Sequence, residues 1–222
     1  MIANKILERL IKTDSIRNCV INDFFSELER IIREVDRQKA QEAIDLLFNA
    51  WENDKTVFVI GCGGSASTAT HFAADLSKTI LVPGAKGMKA MALVDNIPLV
   101  SAWVNDHGWH TIFKEQLEPW LKKDDVLVGF SVHGGSESDS GVWSQNLVQA
   151  MKLAKDRQAK IIGFSGFDGG ALAKMSDVGI VVPVDSEPLG TPLIEGFHVV
   201  LNHLIIVALK NRIKESLASY EI

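Results

Sequence analysis

The fold of this chain is decided by residues 57–65, which read Val-Phe-Val-Ile-Gly-Cys-Gly-Gly-Ser. Four consecutive apolar residues predict a buried β-strand, and the glycines after them allow a tight turn in which backbone amides can approach a ligand closely. Ser65 then supplies a hydroxyl where the next helix must begin. This combination favours an anion, because the free N–H groups and the dipole of a helix N-terminus both attract negative charge. The stretch lacks the Gly-Lys-Ser/Thr ending of a mononucleotide P-loop and the third glycine of a dinucleotide fingerprint.

The composition is that of an ordinary globular protein. The 222 residues are 46% hydrophobic and 23% charged, which suits one α/β domain with appendages. A net charge of −5 offers no basic footprint, so we expect no direct binding to nucleic acid. Cys19 and Cys62 are too few for a disulfide framework, which favours a reducing compartment. Because no apolar run is judged long enough to span a membrane and the N-terminus is charged, we expect a cytoplasmic protein without membrane contact.

Hydrophobic periodicity divides the chain into a helical segment, residues 1–53, and an alternating body, residues 54–222. The first segment lacks glycine and proline, and its apolar positions have the spacing of amphipathic helices that cover a sheet or pack against another subunit. In the body, strands are predicted at residues 57–60, 88–94, 126–130, 160–164 and 178–184. Helices are predicted near residues 65–80, 97–104, 109–122, 143–157, 170–175 and 191–215. Apolar strands that alternate with helices predict an α/β fold with a parallel sheet covered on both faces.

A second glycine-rich loop follows the third predicted strand. Residues 129–136 read Gly-Phe-Ser-Val-His-Gly-Gly-Ser, so a buried strand again runs into hydroxyls and paired glycines. Open parallel sheets bind ligands at the carboxyl ends of their strands, where the strand order reverses. We therefore expect the two loops to converge on one phosphate group.

These motifs, taken in order, resemble the signature of SIS (sugar isomerase) domains. The resemblance is greatest to the phosphoheptose isomerases, which convert sedoheptulose 7-phosphate into D-glycero-D-manno-heptose 7-phosphate. It rests on residues 61–65, on His-Phe-Ala-Ala-Asp-Leu at 71–76, and on further matches at 105–106, 163–170 and 195–203. It implies a five-stranded parallel sheet flanked by helices, a flavodoxin-like sandwich with an N-terminal helical extension. It also implies a homotetramer whose N-terminal helices pack across subunits.

The resemblance assigns candidate site residues to this chain. The metal-binding positions fall on His71, Asp75, Glu195 and His203. Of these, Asp75 would take the proton during isomerisation and His203 would assist at the oxygen. His71 and Asp75 are one helical turn apart, and Glu195 and His203 are close to two turns apart on one face. Two carboxylates and two imidazoles make a tetrahedral set suited to zinc.

The resemblance also assigns substrate-binding positions, which fall on Gly63, Gly64, Ser65, Asn105, Asp106, Ser131, His133, Gly134, Gly135 and Ser136. For His107, His110 and His198 we favour partly buried, hydrogen-bonded rings instead.

Several positions depart from the family pattern and leave the substrate open. Asp75 stands where a glutamate is usual, Glu195 where a glutamine is usual, and His133 where a serine is usual. The run at residues 137–143 looks longer than in the usual enzyme and carries two acidic residues beside the expected phosphate site. Two alternatives to an isomerase stay open, namely a non-catalytic scaffold that associates with a partner protein and a sugar-phosphate-sensing module. Substitution of Ser65 by Asp is expected to oppose phosphate binding and to leave the fold intact.

Overall fold

The computed structural model describes residues 19–136, 144–184 and 186–218. It divides the chain into two compact units, Met1–Val35 and Asp36–Ile222. In the first unit, residues 19–34 form one helix, α1, whose exposed apolar side chains include Val20, Ile21 and Phe25. The helices predicted before residue 19 and the run at 137–143 lie outside the described residues.

The second unit contains a five-stranded, fully parallel sheet in the order β2-β1-β3-β4-β5. The strands are β1 (Thr56–Gly61), β2 (Lys89–Ala92), β3 (Val126–Phe130), β4 (Lys160–Gly166) and β5 (Val178–Val182). The helices are α2 (Arg37–Glu52), α3 (Gly64–Ala74), α4 (Ile97–His107), α5 (Ile112–Leu117), α6 (Gln145–Asp156), α7 (Gly170–Met175) and α8 (Gly190–Ala218). The predicted α/β class and all five predicted strands are confirmed, with strand ends that differ by two residues at most.

The compact unit begins before the predicted boundary at residue 54. Asp36 caps α2, because its side chain accepts hydrogen bonds from the amides of Gln38 and Lys39. The helix then buries Ala43, Leu47 and the residues around them, and it packs against α8 and β5. The helix α2 is therefore part of the sheet domain.

Each face of the sheet has its own helical layer. On one face α2, α3 and α8 cover the strands, and on the other α5, α6 and α7 do so. Side chains of successive strand residues point to opposite faces. Phe58 and Ile60 accordingly join the core under α5 and α6, whereas Phe130 and Phe164 stack on each other at 4.6 Å beside Phe72 of α3.

The helix α8 begins one residue before and ends three residues after the range 191–215 that the sequence predicts. Among the described residues it is the one helix whose length and composition would suffice to cross a membrane. Half of its most apolar 18-residue window is buried inside the fold. It supplies Leu193, Ile194, Leu201 and Ile205 to the core. A helix in the core of a globular domain is apolar for this reason.

Candidate active site

The two glycine loops begin side by side at the carboxyl edge of the sheet. In the register of the sheet, Gly61 at the end of β1 pairs with Phe130 at the end of β3. The neighbours of β1 are β2 and β3, so the strand order reverses here, as in other doubly wound sheets. The φ angles of Gly63, Gly134 and Gly135 are 59°, 72° and 82°, values that residues other than glycine rarely adopt. The two loops therefore leave adjacent strands at the same edge of the sheet.

The second loop is held in shape by hydrogen bonds from both ends. The Ser131 hydroxyl accepts a hydrogen bond of 3.1 Å from the Gly134 amide. The carbonyls of Gly134 and Gly135 each accept a bond of 2.9 Å from the first turn of α7. A Cβ atom on Gly134 would lie 2.0 Å from the Gly169 carbonyl oxygen, so a side chain has no room there.

The hydroxyl groups of the two loops differ in access to solvent. Ser65 is 3% exposed and Ser131 is 6% exposed, whereas Ser136 is half-buried. The expectation that Ser65→Asp would act as a surface change is therefore wrong, since the substitution would bury a charge in the first turn of α3. Ser136 lines a cavity of about 330 Å³ together with His133, Asp168 and Lys174.

Three of the predicted metal ligands meet between α3 and α8. His71 Nε2 lies 3.3 Å from His203 Nε2 and 3.3 Å from Asp75 Oδ2. His203 Nε2 and Asp75 Oδ2 are 3.9 Å apart. Two ring nitrogens at such a distance share either a proton or a cation. The side chains of His71 and His203 are 44% and 57% exposed, so the cluster is open to solvent.

The separations within this cluster fit a tetrahedral metal centre. Zinc bonds to nitrogen and oxygen of about 2.0–2.1 Å place two ligand atoms of a tetrahedron about 3.3–3.4 Å apart. Two of the three separations in the cluster have that value, and all three ligand atoms lie within 4.8 Å of one another. The residues present therefore fit a divalent cation bound through two imidazoles and one carboxylate.

Asp75 occupies a helical irregularity that the sequence reading did not predict. The regular helix α3 ends at Ala74, and Asp75–Thr79 form a π-helical turn, a feature often found at functional sites. The Thr79 hydroxyl donates a hydrogen bond of 2.6 Å to Asp75 Oδ1, which leaves Oδ2 to face the two histidines. Lys210 of α8 donates a bond of 2.7 Å to the Thr79 carbonyl. A hydroxyl four residues after Asp75 is the only sequence signal that could have pointed to Thr79.

The fourth predicted ligand, Glu195, does not join the cluster. Its carboxylate lies against Gly64, where a Cβ atom would come within 2.4–2.5 Å of the Glu195 oxygens. Eight residues along a helix return to the same face, but they also advance about 12 Å along its axis. Glu195 is therefore at the glycine loop, two turns from His203, and the four-ligand set is corrected to three.

The remaining candidates occupy different surroundings. Asn105 and Asp106 lie on the exposed last turn of α4, and the Asn105 side chain donates a hydrogen bond of 2.7 Å to Asp106. His107 and His110 are exposed, so their predicted partial burial is wrong. His198 is fully buried, with Nε2 3.3 Å from the Ser165 carbonyl oxygen, and burial lowers its pKa to about 4.

Cys62 helps to join the first loop to α6. Its sulfur accepts a hydrogen bond of 3.1 Å from the side chain of Asn146, which is fully buried. Burial raises the pKa of this thiol, so a packing role in the turn is favoured over a nucleophilic one.

Comparison with known proteins identifies the family of this chain. The SIS domain model matches residues 23–166. The lincomycin biosynthesis protein LmbN of Streptomyces lincolnensis is 44% identical over 85% of this chain and 68% of its own length. A phosphoheptose isomerase of Helicobacter pylori is 31% identical over 86% of this chain and 93% of its own length.

Solved structures give the same result. Phosphoheptose isomerase GmhA from Neisseria gonorrhoeae superposes with a TM-score of 0.74 at 25% identity, covering 89% of this chain and 98% of that one. The chain therefore belongs to the SIS domain family and, within it, to the phosphoheptose isomerase group of sugar-phosphate isomerases.

Proposed function

We propose that this protein interconverts the aldose and ketose forms of a phosphorylated sugar. The first candidate reaction is the conversion of sedoheptulose 7-phosphate into D-glycero-D-manno-heptose 7-phosphate. The observation that carries the proposal is the cluster of Asp75, His71 and His203 on the helices that border the two glycine loops. Family membership supports the same reaction class.

The proposed chemistry moves one proton between C1 and C2 of the sugar through an enediol. Asp75 is the proposed base, because Thr79 engages Oδ1 and the remaining oxygen, Oδ2, faces the open side of the cluster. His203 is the proposed partner that exchanges a proton with the sugar oxygen, since its Nε2 lies 3.9 Å from the same carboxylate oxygen. A positioned acid and base of this kind accelerate proton transfer by about 10²–10⁴-fold.

Alternatively, His71, Asp75 and His203 would hold a divalent cation, for which zinc is the first candidate, and the cation would then occupy the atoms of Asp75 and His203 that are proposed as base and proton donor. A bound cation would supply polarisation of the sugar carbonyl, which lowers the cost of the negative charge that develops on its oxygen. His71 orients the cluster in either case, because its Nε2 lies 3.3 Å from each of the other two groups.

The phosphate group is proposed to bind between the two glycine loops. Gly63 and Gly64 open α3 without a side-chain cap, and a helix N-terminus of this kind attracts anions. Ser136 and His133 bring a hydroxyl and an imidazole to the cavity at the second loop. No lysine is required at the first loop, because backbone amides supply the positive potential.

A second candidate substrate is a sugar phosphate outside heptose metabolism. The relative with 44% identity is named for lincomycin biosynthesis, and it is more similar to this chain than the Helicobacter pylori phosphoheptose isomerase at 31%. The chain departs from the usual pattern at His133 of the second loop and at Glu195 of α8, whose carboxylate lies against Gly64 of the first loop. A different sugar is the simplest reason for such departures in the loops that hold the substrate.

The test is hydrogen exchange at C1 and C2 of C5–C7 sugar phosphates in deuterated water. We expect deuterium to enter one of these sugars in the presence of the protein, and the variant D75N to abolish the exchange. A scaffold or a sensing module would bind a sugar phosphate or a protein partner without any exchange. Exchange with none of the sugars would overturn the proposed function.

We further propose that the protein acts as a cytoplasmic homotetramer.

A further inference from the structure

The side chain of His133 is held by an aromatic stack at the mouth of the second loop. Its imidazole ring lies 4.6 Å from the ring of Phe167 with an angle of 7° between the planes, so the rings are nearly parallel. In this arrangement the ring nitrogens point sideways out of the stack. The imidazole borders the same 330 Å³ cavity as Ser136, the last residue of the loop.

The backbone of Phe167 has an unusual conformation that puts its ring in this place. Its φ angle is +51°, a region that bulky side chains rarely adopt and that recurs at functional sites. The turn is fixed on both sides, since the Gly166 amide donates to the Val132 carbonyl at 2.9 Å and the Phe167 amide donates to the Val184 carbonyl at 3.1 Å. The surrounding structure therefore determines the direction of the Phe167 side chain.

The Phe167 ring also lies against the start of α8. A Cβ atom on Gly190 would lie 2.7 Å from Phe167 Cζ, so only glycine leaves room for the ring. The aromatic ring thus contacts both the start of α8 at Gly190 and the imidazole of His133. One ring connects the second loop to the helix that carries His203.

We propose that Phe167 is a positioning residue that aims the imidazole of His133 at the phosphate group of the substrate. This inference rests on the proposed function, because it assigns His133 to the phosphate end of a sugar phosphate. Confinement of the imidazole in one orientation removes the loss of side-chain freedom that binding would otherwise cost. His133 then provides a donor on a longer and more rigid side chain than a serine at the same place.

The experiment is a double-mutant cycle read by calorimetric titration with inorganic phosphate and with sedoheptulose 7-phosphate. H133S and F167L are each expected to weaken phosphate binding by about fivefold, and the double variant by no more than either alone, because both remove the same contact. F167Y retains the stacked ring and should bind as the unaltered protein does. Thermal unfolding of each variant checks that the fold survives.

The outcomes separate this inference from the proposed function. Phosphate binding that F167L leaves unchanged, or weakens to the same extent with and without H133S, would overturn the positioning role alone. Failure of the unaltered protein to bind either probe would overturn the phosphate site itself. Proton resonances of the His133 ring report the stack itself, because loss of the Phe167 ring current should shift them downfield in F167L and not in F167Y. Phosphate affinity that is lost in F167L and retained in F167Y then separates a positioning role from a merely structural one.

Discussion

The carboxylate of Asp75 is engaged on one side by the Thr79 hydroxyl at 2.6 Å and faces His71 with its other oxygen at 3.3 Å. A hydrogen bond to one oxygen orients the other, so Thr79 acts on the cluster through Asp75. The two residues should consequently differ in how much a substitution costs. Loss of the carboxylate removes the proposed base itself, whereas loss of the hydroxyl only loosens the carboxylate.

We expect D75N to lower kcat for isomerisation by at least about a hundredfold, because a neutral amide cannot take a proton from carbon. T79V, which removes the hydroxyl and keeps the side-chain volume, should lower kcat by only about tenfold. Steady-state kinetics on the sugar that shows exchange measures both values. Equal losses in the two variants would mean that Asp75 is a structural residue.

His198 makes stability depend on pH. Its pKa falls from 6.5 to about 4 because burial disfavours the charged ring, so the unfolded chain takes up a proton at a higher pH than the folded one. The stabilising contribution is complete above pH 6.5 and is lost as the pH falls through the range from 6.5 to 4. At 1.36 kcal/mol per pKa unit, it amounts to roughly 3 kcal/mol.

H198Q should therefore flatten the dependence of the free energy of unfolding on pH between 4 and 6.5, whatever its effect on absolute stability. Urea denaturation at several pH values gives the comparison. The carboxylates titrate in both proteins, so the quantity of interest is the difference between the two profiles. Parallel profiles would contradict a fully buried, neutral His198.

At the scale of single residues, the sequence predicts which residue types form the site more accurately than it predicts where each residue lies. His71 and Asp75 could be paired from their spacing, because one helical turn brings two side chains together in any α-helix. The rise of about 12 Å over eight helical residues already separates Glu195 from His203. Which of the two meets His71 could not be predicted in the same way, since it depends on how far α8 is shifted along its own axis relative to α3. The burial of Ser65 likewise depends on how the helices pack on the sheet, and the sequence of the turn does not specify that packing.

At the scale of elements, the cluster joins two helices that are far apart in the chain. The helix α3 with its π-helical turn supplies His71 and Asp75, and α8 supplies His203. Besides the cluster, Asn202 of α8 donates a hydrogen bond of 3.5 Å to the Thr68 carbonyl of α3. A cation at the cluster would add a further link between the same helices.

We expect the purified, untagged protein to bind about one equivalent of zinc per chain, and zinc to raise its melting temperature, since a ligand that binds only the folded state stabilises it. H203N should lose most of the metal. E195Q is the matched control on the same helix and should retain it, because the Glu195 carboxylate lies at Gly64. Elemental analysis after zinc supplementation measures all three proteins, and less than about a tenth of an equivalent in the unaltered protein would exclude a tight site.

The elements themselves were largely predictable. Buried parallel strands such as β3 and β4 are continuous apolar runs, and the same runs specify a sheet with both faces covered. For Asp75–Thr79 the sequence predicts a continuous helix and not the observed π-helical turn, because one extra residue per turn leaves no mark in hydrophobic spacing over so short a stretch. The apolar character of α8 was underestimated because polar residues interrupt it at turn-length intervals.

At the scale of the whole molecule, apolar side chains remain exposed on several helices. On α8 the exposed side chains are those of Val200, Leu204 and Val207, on either side of His203. On α1, Ile21 is 55% exposed and Phe25 is 60% exposed. Apolar side chains grouped in this way are typical of surfaces that contact another protein chain.

We predict a tetramer that depends on α1. The double variant I21E/F25E should dissociate it into smaller species, because charge is introduced on an apolar helix face. R33E is the control, since Arg33 is an exposed polar residue of the same helix whose pair with Glu29, at 3.8 Å, lies within that helix. Light scattering gives the molar mass of each protein, and an unchanged tetramer in I21E/F25E would contradict a role of this face in assembly.

The ties between α8 and the π-helical turn have a consequence for the lifetime of the site. Lys210 and Asn202 anchor α8 to the backbone of Thr79 and Thr68, and the same helix fills the core beneath them. Regions that share core and hydrogen bonds open as one cooperative unit in native-state hydrogen exchange. The amides of α8 and those of residues 75–79 should then exchange at a common rate, slower than the amides of α4, none of whose residues is buried. The cluster of His71, Asp75 and His203 therefore stays assembled for as long as α8 remains packed on the sheet.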